Sequence, residues 1–332
     1  MRALRVFGLD GGGSSSRLRV ADEENRTLWE GRGLAVNPNA VEPGALEDRF
    51  DELFARLRSA TGLEPGDFAA GCLGIAGADR SAEKSQLEGI LRSRLGFSCP
   101  LVLCSDPDIA LVGALRSTEG IILVAGTGSI AVARLASGER FRSGGWGHFL
   151  SDEGSGFSLG FQAIRRTLRS LEGRDLRTGM LPSLLSRFGI EDPSDFVGLI
   201  YRRFDKAQVA AAAPLVLRAA AEGDPLAMDI ADQAVRELAS LVASLWARVR
   251  DRLANREVAL WGGLLAAGGD GGEGAAGGEG AAGGAFRAAL VSELARSCPE
   301  LDPVSPRESA AYGACALALR AASEASPVAK AT

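Results

Sequence analysis

The chain has 332 residues, more than the usual length of one domain, which predicts two packed units. Hydrophobic residues make up 46% and charged residues 24%, a balance typical of a globular protein with a sizeable core, and this excludes global disorder. Lys and Arg total 37 against 42 Asp and Glu, giving a net charge of -5. The basic residues are scattered, so a nucleic-acid partner has no electrostatic support.

The cysteine and histidine content narrows the chemistry further. Five cysteines without a Cys-x-x-Cys pair favour reduced thiols over a disulfide framework or a zinc site. The single histidine, His148, disfavours His-based hydrolases and His-ligated metal enzymes. No apolar stretch reaches the length of about 18 residues that predicts a membrane span, and the apolar run at the N-terminus is too short for a signal peptide. We therefore expect a cytoplasmic protein without a membrane partner.

The first hundred residues predict one α/β unit. Alternating and apolar runs at 4–9, 16–21 and 27–31 predict an antiparallel meander of strands. An apolar stripe within 42–61 predicts an amphipathic helix, followed by a strand at 69–75, a helix at 82–95 and a strand at 100–104.

At residue 120 the pattern begins again with a strand at 120–125, a glycine turn and a strand at 129–135, which suggests internal duplication at the level of the fold. After a glycine cluster the chain is largely helical to residue 255, with a final strand at 258–261 and helices at 286–297 and 308–322. The Gly/Ala-rich segment 266–285 predicts a flexible surface loop. We expect an N-terminal domain over 1–116, a larger domain with a helical insertion over 117–305, and a closing helix at 306–322 that packs back toward the first domain.

Two glycine-rich turns, each between two predicted strands, are the main candidates for phosphate binding. Glycines let the backbone direct successive N–H groups at an anion, and neighbouring hydroxyls add donors. Neither turn leads into a helix, so neither is a dinucleotide fingerprint or a P-loop. A single turn of this kind is as typical of a plain hairpin as of a phosphate site. Two such turns favour a site for a nucleotide whose phosphate charge a metal neutralises. The first comprises Asp10, Gly11, Gly12, Gly13 and Ser14, and the second Gly126, Thr127 and Gly128.

Asp106 follows the strand at 100–104, where α/β proteins often place a catalytic carboxylate. It is also placed to be the N-cap of a helix with Pro107 at the first helical position. Such a carboxylate can accept the proton of a hydroxyl that attacks phosphorus. Asp108 is the less favoured base because it lies in the first helical turn.

The segment 144–156 combines Trp146, His148 and Asp152 with five glycines. An aromatic ring and a carboxylate suit a sugar, and a carboxylate near phosphate can hold Mg2+ through water. For His148, a structural hydrogen bond within the loop is favoured over catalysis.

The order of these motifs resembles the N-acetylglucosamine kinase group of BadF/BcrA-type ATPases, within the superfamily of sugar kinases, actin and heat-shock chaperones. The resemblance covers about residues 5–320. It is carried by DGGGS at 10–14, Asn37, Ser105-Asp106, GTGS at 126–129, GGWGHFLSDEGS at 144–155 and Trp261-Gly262-Gly263. It implies an α/β fold in which two ribonuclease-H-like domains of the actin/hexokinase type flank a nucleotide cleft.

The resemblance also implies roles for particular residues, with ATP and Mg2+ as cofactors. Asp10, Gly11, Gly12, Gly13 and Ser14 would serve the phosphates, with Asp10 holding Mg2+ through water, and Gly126, Thr127 and Gly128 would form the second phosphate loop. Gly262 and Gly263 would lie beside the adenosine, and Asp106 would be the base for the sugar 6-hydroxyl. The implied sugar contacts are Asn37, Asp106, Ser129, Gly145, Trp146, Gly147 and Asp152.

The implied reaction converts N-acetylglucosamine to N-acetylglucosamine 6-phosphate, in an enzyme that forms homodimers as many sugar kinases do. Ile130 and Ala76 depart from some relatives, which leaves glucosamine, N-acetylmuramic acid and glucose as alternative acceptors. A hypothesis of a different class is that the chain is an ATPase that activates a partner dehydratase. It is disfavoured because the scattered cysteines lack the pairing that bridges an iron-sulfur cluster. A non-catalytic sugar sensor is disfavoured by Asp106 and both phosphate turns.

Overall fold

The computed structural model describes residues 4–12, 15–38, 41–42, 44–77, 80–266 and 281–325. Gly13, Ser14 and most of the predicted loop at 266–285 lie outside these ranges. The chain divides into two compact units, the first comprising Met1–Thr118 and Pro306–Thr332 and the second Glu119–Ser305.

Strands and helices alternate along the described ranges. The strands are β1 (Arg5–Gly11), β2 (Ser15–Asp22), β3 (Thr27–Leu34), β4 (Ala70–Ile75), β5 (Leu101–Cys104), β6 (Gly120–Ala125), β7 (Ser129–Arg134), β8 (Arg140–Gly144), β9 (Glu257–Trp261) and β10 (Asp302–Val304). The α-helices are α1 (Ala45–Thr61), α2 (Ser81–Gly89), α3 (Asp106–Leu115), α4 (Gly156–Leu171), α5 (Leu181–Phe188), α6 (Asp195–Arg202), α7 (Lys206–Ala210), α8 (Ala213–Ala221), α9 (Pro225–Val249), α10 (Ala281–Ser297) and α11 (Ala310–Ala325).

The strands described in the first unit form one mixed sheet in the order β3-β2-β1-β4-β5. β1, β2 and β3 are antiparallel neighbours, whereas β4 and β5 extend the sheet in parallel with β1. Every residue of β4 is buried, as expected for an inner strand that is covered on both faces. The predicted apolar stripe of α1 is buried, and it consists of Leu46, Phe50, Leu53, Phe54 and Leu57.

The second unit repeats this arrangement strand for strand. In its described part the order is β10-β9-β6-β7-β8, with β6, β7 and β8 antiparallel and β9 and β10 parallel to β6. The duplication expected from the sequence is confirmed at the level of the fold, and so is the α/β class. Helices α4 to α9 confirm the helical character expected up to residue 255.

Three sequence-based expectations about these elements were wrong. The strand at 258–261 is not the last, because β10 adds a three-residue edge strand, and β8 was not predicted. β8 is five residues long and contains one apolar side chain, Phe141, so it lacks the apolar pattern that signals a strand. α10 begins at Ala281 instead of residue 286, since alanine favours a helix even beside glycine.

Helix α11 packs against α3 and β1 within the first unit, and glycines allow the close approach. A Cβ atom at Gly313 would lie 2.0 Å from the carbonyl oxygen of Ile109, and one at Gly113 would lie 2.1 Å from that of Ser309. The two helix backbones therefore touch, and this contact helps to fix α3, whose first residue is Asp106. Across the described ranges, no helix is long and apolar enough to cross a membrane.

Replacing Gly313 with Ala should lower the free energy of unfolding by about 1–3 kcal/mol, because the new methyl group forces two backbones apart. Gly198→Ala in α6 is the control, since a Cβ atom there meets nothing within 4 Å. We expect that variant to be neutral or stabilising by up to about 1 kcal/mol. Urea unfolding of both variants measures the difference, and equal stability would refute the close packing.

Candidate functional site

Three of the predicted site residues of the first unit lie at one edge of its sheet. β1, β3, β4 and β5 run in the same direction, so their carboxyl ends share an edge. Asp10 is the penultimate residue of β1, Asn37 follows β3, and Asp106 follows β5. This edge is where open α/β sheets bind ligands.

The described part of the first glycine turn is held by backbone contacts. The Gly12 N–H donates to the Ser15 carbonyl oxygen at 2.9 Å, and the Ala76 N–H donates to the Gly11 oxygen at 2.8 Å. A Cβ atom at Gly11 would lie 2.7 Å from Val36 Cγ2, so this position requires glycine. Gly13 and Ser14 lie outside the described residues.

Asp106 is the first residue of α3, and the predicted cap at this residue was wrong. The N-cap is Ser105, and Pro107 is the second helical residue. Ser105 donates to the Asp108 carboxylate through its hydroxyl at 2.6 Å and its N–H at 3.2 Å, which closes the first turn one residue earlier than expected. Asp108 is thus buried and engaged in capping, whereas Asp106 is partly exposed.

The second glycine turn, between β6 and β7, is anchored by the start of α4. The N–H groups of Gly156 and Phe157 donate to the carbonyl oxygens of Gly126 and Thr127 at 2.8 and 3.3 Å. Gly262 follows β9 at the same sheet edge, because β9 is parallel to β6.

Gly262 itself approaches the end of β6 closely. Its φ is 103°, and a Cβ atom there would lie 2.4 Å from the Ala125 carbonyl oxygen. The predicted adenosine-side pair, Gly262 and Gly263, therefore lies beside the predicted phosphate turn.

A buried carboxylate supports this second turn. Asp152 is 4% exposed and adopts a left-handed backbone conformation with φ of 64°. Its Oδ1 accepts the Ser129 N–H at 3.1 Å, and its Oδ2 accepts from Lys206 Nζ at 2.9 Å. A Cβ atom at Gly128 would lie 2.9 Å from Asp152 Oδ1, so the turn can rest on the carboxylate only if this residue is glycine.

The loop after β8 carries the other predicted sugar contacts. Gly145 and Gly147 have φ values of 72° and 91°, conformations that favour glycine. Between them Trp146 is 64% exposed, and its indole ring lies 3.8 Å from the guanidinium carbon of Arg142. Ser129 is buried, and its hydroxyl donates to the Glu153 carbonyl oxygen at 2.7 Å.

His148 is held by aromatic stacking, and the predicted hydrogen bond within the loop is not found. Its ring stacks on Phe204 at 5.1 Å between centroids and lies 4.1 Å from that of Phe149. Its Nε2 is buried without a hydrogen bond to any described residue. Burial lowers the pKa of His148 below 6.5, and the positive charge of Lys206 lowers it further. The imidazole is thus a packing group whose neutral form is favoured.

Sequence reasoning missed Lys206 and Arg142. Lys206 lies 54 residues beyond Asp152, at the start of α7, and its only sequence signal is that lysine is rare among the basic residues of this chain. Arg142 lies on β8, a strand that was itself missed. Among the residues that the structure describes, no three His, Cys, Asp or Glu side chains gather as a metal site.

Comparison with models of protein families identifies the family of this chain. The model of the BadF/BadG/BcrA/BcrD ATPase family matches residues 7–269, a range that contains both glycine turns and the Trp146 loop. The chain belongs to the BadF/BadG/BcrA/BcrD ATPase family. The family predicted from the motifs is thereby confirmed, and membership of this family implies use of ATP.

The sequence is also similar to those of three named kinases. The chain is 34% identical to an N-acetylmuramic acid/N-acetylglucosamine kinase of Clostridium acetobutylicum over 70% of this chain and 76% of that protein. It is 25% identical to an N-acetyl-D-glucosamine kinase of Dictyostelium discoideum over 72% and 78% of the two chains. It is 26% identical to a glucosamine kinase of Vibrio cholerae over 74% and 82%.

Solved structures show the same fold. A candidate N-acetylglucosamine kinase of Chromobacterium violaceum superposes with a TM-score of 0.73 at 27% identity, covering 96% of this chain and 99% of that one. A ROK hexokinase of Thermus thermophilus superposes with a TM-score of 0.59 at 18% identity, covering 97% and 100%. The second likeness concerns the fold alone.

Because His148 is the single histidine, its titration can test whether the Lys206 ammonium group lies close to it. The C2 proton of His148 should titrate in NMR spectra with a midpoint below 6.5. Lys206→Met should raise that midpoint, because removing a nearby positive charge favours the imidazolium form. Lys84→Met, which removes a lysine from α2 in the first unit, is the control and should leave the midpoint unchanged. An identical titration in wild type and Lys206→Met would contradict the geometry.

Proposed function

We propose that this chain is an ATP-dependent kinase that phosphorylates an amino sugar, with N-acetylglucosamine as acceptor and its 6-hydroxyl as the position that receives the phosphoryl group. The sequence prediction of an ATP-dependent sugar kinase is confirmed by relatives that are themselves named kinases. The acceptor and the position rest on the site. The observation that carries them is the repetition of one glycine turn at the same edge of both sheets, with Asp106 at the same edge as the first turn and the Trp146 loop after β8 in the second unit.

The glycine turns supply the nucleotide contacts in this proposal. Gly11 and Gly12 in the first unit, and the Gly126–Gly128 turn in the second, present backbone to the phosphates. A side chain would collide with its neighbours at Gly11 and at Gly128. Gly262 and Gly263 serve the adenosine side.

Asp106 is the proposed general base. The sugar hydroxyl oxygen forms a bond to the γ-phosphorus, its proton passes to the Asp106 carboxylate, and the bond from the γ-phosphorus to the bridging oxygen breaks to release ADP. Asp108 is unsuited to this role because its carboxylate is buried and accepts both donors of Ser105. Of the two carboxylates in the first turn of α3, Asp108 thus caps the helix and Asp106 is the proposed base.

The sugar contacts are proposed for Asn37 in the first unit and for Ser129, Gly145, Trp146, Gly147 and Asp152 in the second. Trp146 offers an exposed ring to the apolar face of a pyranose. Asp152 already accepts from Ser129 and Lys206, and each carboxylate oxygen keeps a further lone pair for a sugar hydroxyl.

Mg2+ would enter with ATP and neutralise charge on the phosphates. Such a magnesium ion is bound by phosphate oxygens, waters and one or two carboxylates, so a dedicated protein cage is not required. Asp10, at the carboxyl end of β1, fits a contact through water. The homodimer and the cytoplasmic location expected from the sequence belong to the same proposal.

The function is tested by measuring ADP release from Mg-ATP with each of N-acetylglucosamine, glucosamine, N-acetylmuramic acid and glucose. We expect N-acetylglucosamine to stimulate release and to gain one phosphoryl group, which phosphorus-coupled NMR should locate on the 6-oxygen. ADP release that ignores every sugar, or phosphate on another oxygen, would contradict the proposal.

In the same assay, Asp106→Asn should lower turnover by about 100-fold or more, as expected on losing a general base, while sugar and ATP still bind. Asp108→Asn is the matched control two residues away. We expect it to reduce stability through the lost cap but to keep turnover within about tenfold of wild type. Wild-type turnover in Asp106→Asn would remove this residue from the mechanism.

A further inference from the structure

Arg142 lies directly against the loop proposed to bind the sugar. Its guanidinium carbon is 3.8 Å from the centre of the Trp146 ring, a stacking distance. Its Nη1 donates to the Gly145 carbonyl oxygen at the long distance of 3.4 Å, and this is the one side-chain hydrogen bond recorded for it within the described ranges. Most of the five donors of this guanidinium are therefore available for a ligand.

A second arginine packs on the neighbouring residue of β8. Arg248, near the end of α9, donates to the Arg142 carbonyl oxygen at 3.1 Å and lies over the Phe141 ring at 5.2 Å. Among described residues, neither Arg142 nor Arg248 forms an ion pair with a carboxylate. Arg252, over the same Phe141 ring, does form one, with Glu139. The guanidinium beside Trp146 is thus that of Arg142, which forms no ion pair with the described part of the chain.

The candidate acceptors differ in the charge that they would bring to Arg142. Glucosamine carries an ammonium group near neutral pH and N-acetylglucosamine is uncharged. N-acetylmuramic acid is N-acetylglucosamine with a lactyl ether that ends in a carboxylate. A guanidinium binds a carboxylate through two parallel N–H donors and repels an ammonium group.

We propose that Arg142 is a specificity-determining residue that makes the acceptor site prefer an N-acylated amino sugar bearing a carboxylate over its neutral and cationic counterparts. The inference rests on the proposed function, because it takes the Trp146 loop as the acceptor site. Trp146 holds the guanidinium plane in place, so little side-chain entropy is lost when a carboxylate binds. N-acetylglucosamine thus remains an acceptor, as proposed above, but it ranks between N-acetylmuramic acid, which is preferred, and glucosamine.

The test compares these three sugars in direct binding by calorimetry and in kcat/KM, using wild type, Arg142→Gln and Arg252→Gln. Arg142→Gln should weaken binding of N-acetylmuramic acid by about tenfold, the factor for one charge-assisted hydrogen bond, and change N-acetylglucosamine by less than about threefold. Glucosamine should bind more tightly in this variant. Arg252→Gln, which removes an arginine already paired with Glu139, should leave the order unchanged.

Two further measurements keep the test independent of folding. Arg142→Lys should retain part of the preference for the carboxylate, since the charge remains while the planar fork is lost. In the wild type, raising the salt concentration should shrink the affinity ratio of N-acetylmuramic acid to N-acetylglucosamine, because salt screens the attraction.

The outcomes separate this inference from the proposed function. Equal ratios among the sugars in wild type and Arg142→Gln, with N-acetylglucosamine still phosphorylated, would overturn the role of Arg142 alone. Binding of N-acetylmuramic acid that depends on Arg142, without transfer to any sugar, would support the inference and overturn the kinase proposal. Absence of binding by all three sugars would overturn both.

Discussion

The buried carboxylate of Asp152 is the group on which the candidate site of the second unit depends. This carboxylate accepts a hydrogen bond from the N–H of Ser129, the residue that follows the glycine turn. The ammonium group of Lys206 compensates its negative charge. Burying a carboxylate without partners costs several kcal/mol, so this arrangement constrains its neighbours. Gly128 must lack a side chain, and Asp152 itself adopts a left-handed conformation that is unusual outside glycine.

The two units share one topology but carry different side chains at the corresponding sheet edge. In each, the inner hairpin carries a glycine turn, and the parallel strands deliver further groups to the same edge. The first unit adds a partly exposed carboxylate at the start of α3, and close contact between α3 and α11 fixes that helix. The second adds an aromatic loop backed by arginine. Phosphoryl transfer relies on positioning and charge, so groups of both kinds are what the proposed function requires.

Much of this fold followed from local sequence pattern. Strands β1, β4 and β6 are apolar runs, β2 alternates between polar and apolar residues, and the stripe of α1 is buried as predicted. The position of Asp106 after β5 also followed, because a buried strand and a helix start are both local signals.

Features that depend on distant partners could not be predicted. The choice of Ser105 as cap over Asp106 was decided by the Asp108 carboxylate, and the pairing of Asp152 with Lys206 joins residues 54 apart in sequence. β8 and β10 are edge strands defined by backbone pairing more than by pattern. The stacking of Arg142 on Trp146 could not be predicted either, because Arg142 lies on β8, a strand that the sequence pattern did not reveal.

The proposed sugar site requires Asp152 and Lys206, which form an ion pair, to act as one unit. The most direct measurement is a double-mutant cycle on the affinity for N-acetylglucosamine, with Asp152→Asn, Lys206→Met and the double variant compared by calorimetry. If the pair acts together, the double variant should bind within about twofold of the weaker single variant, since the second change removes a contact already lost. Losses that multiply would show two independent residues and contradict the account.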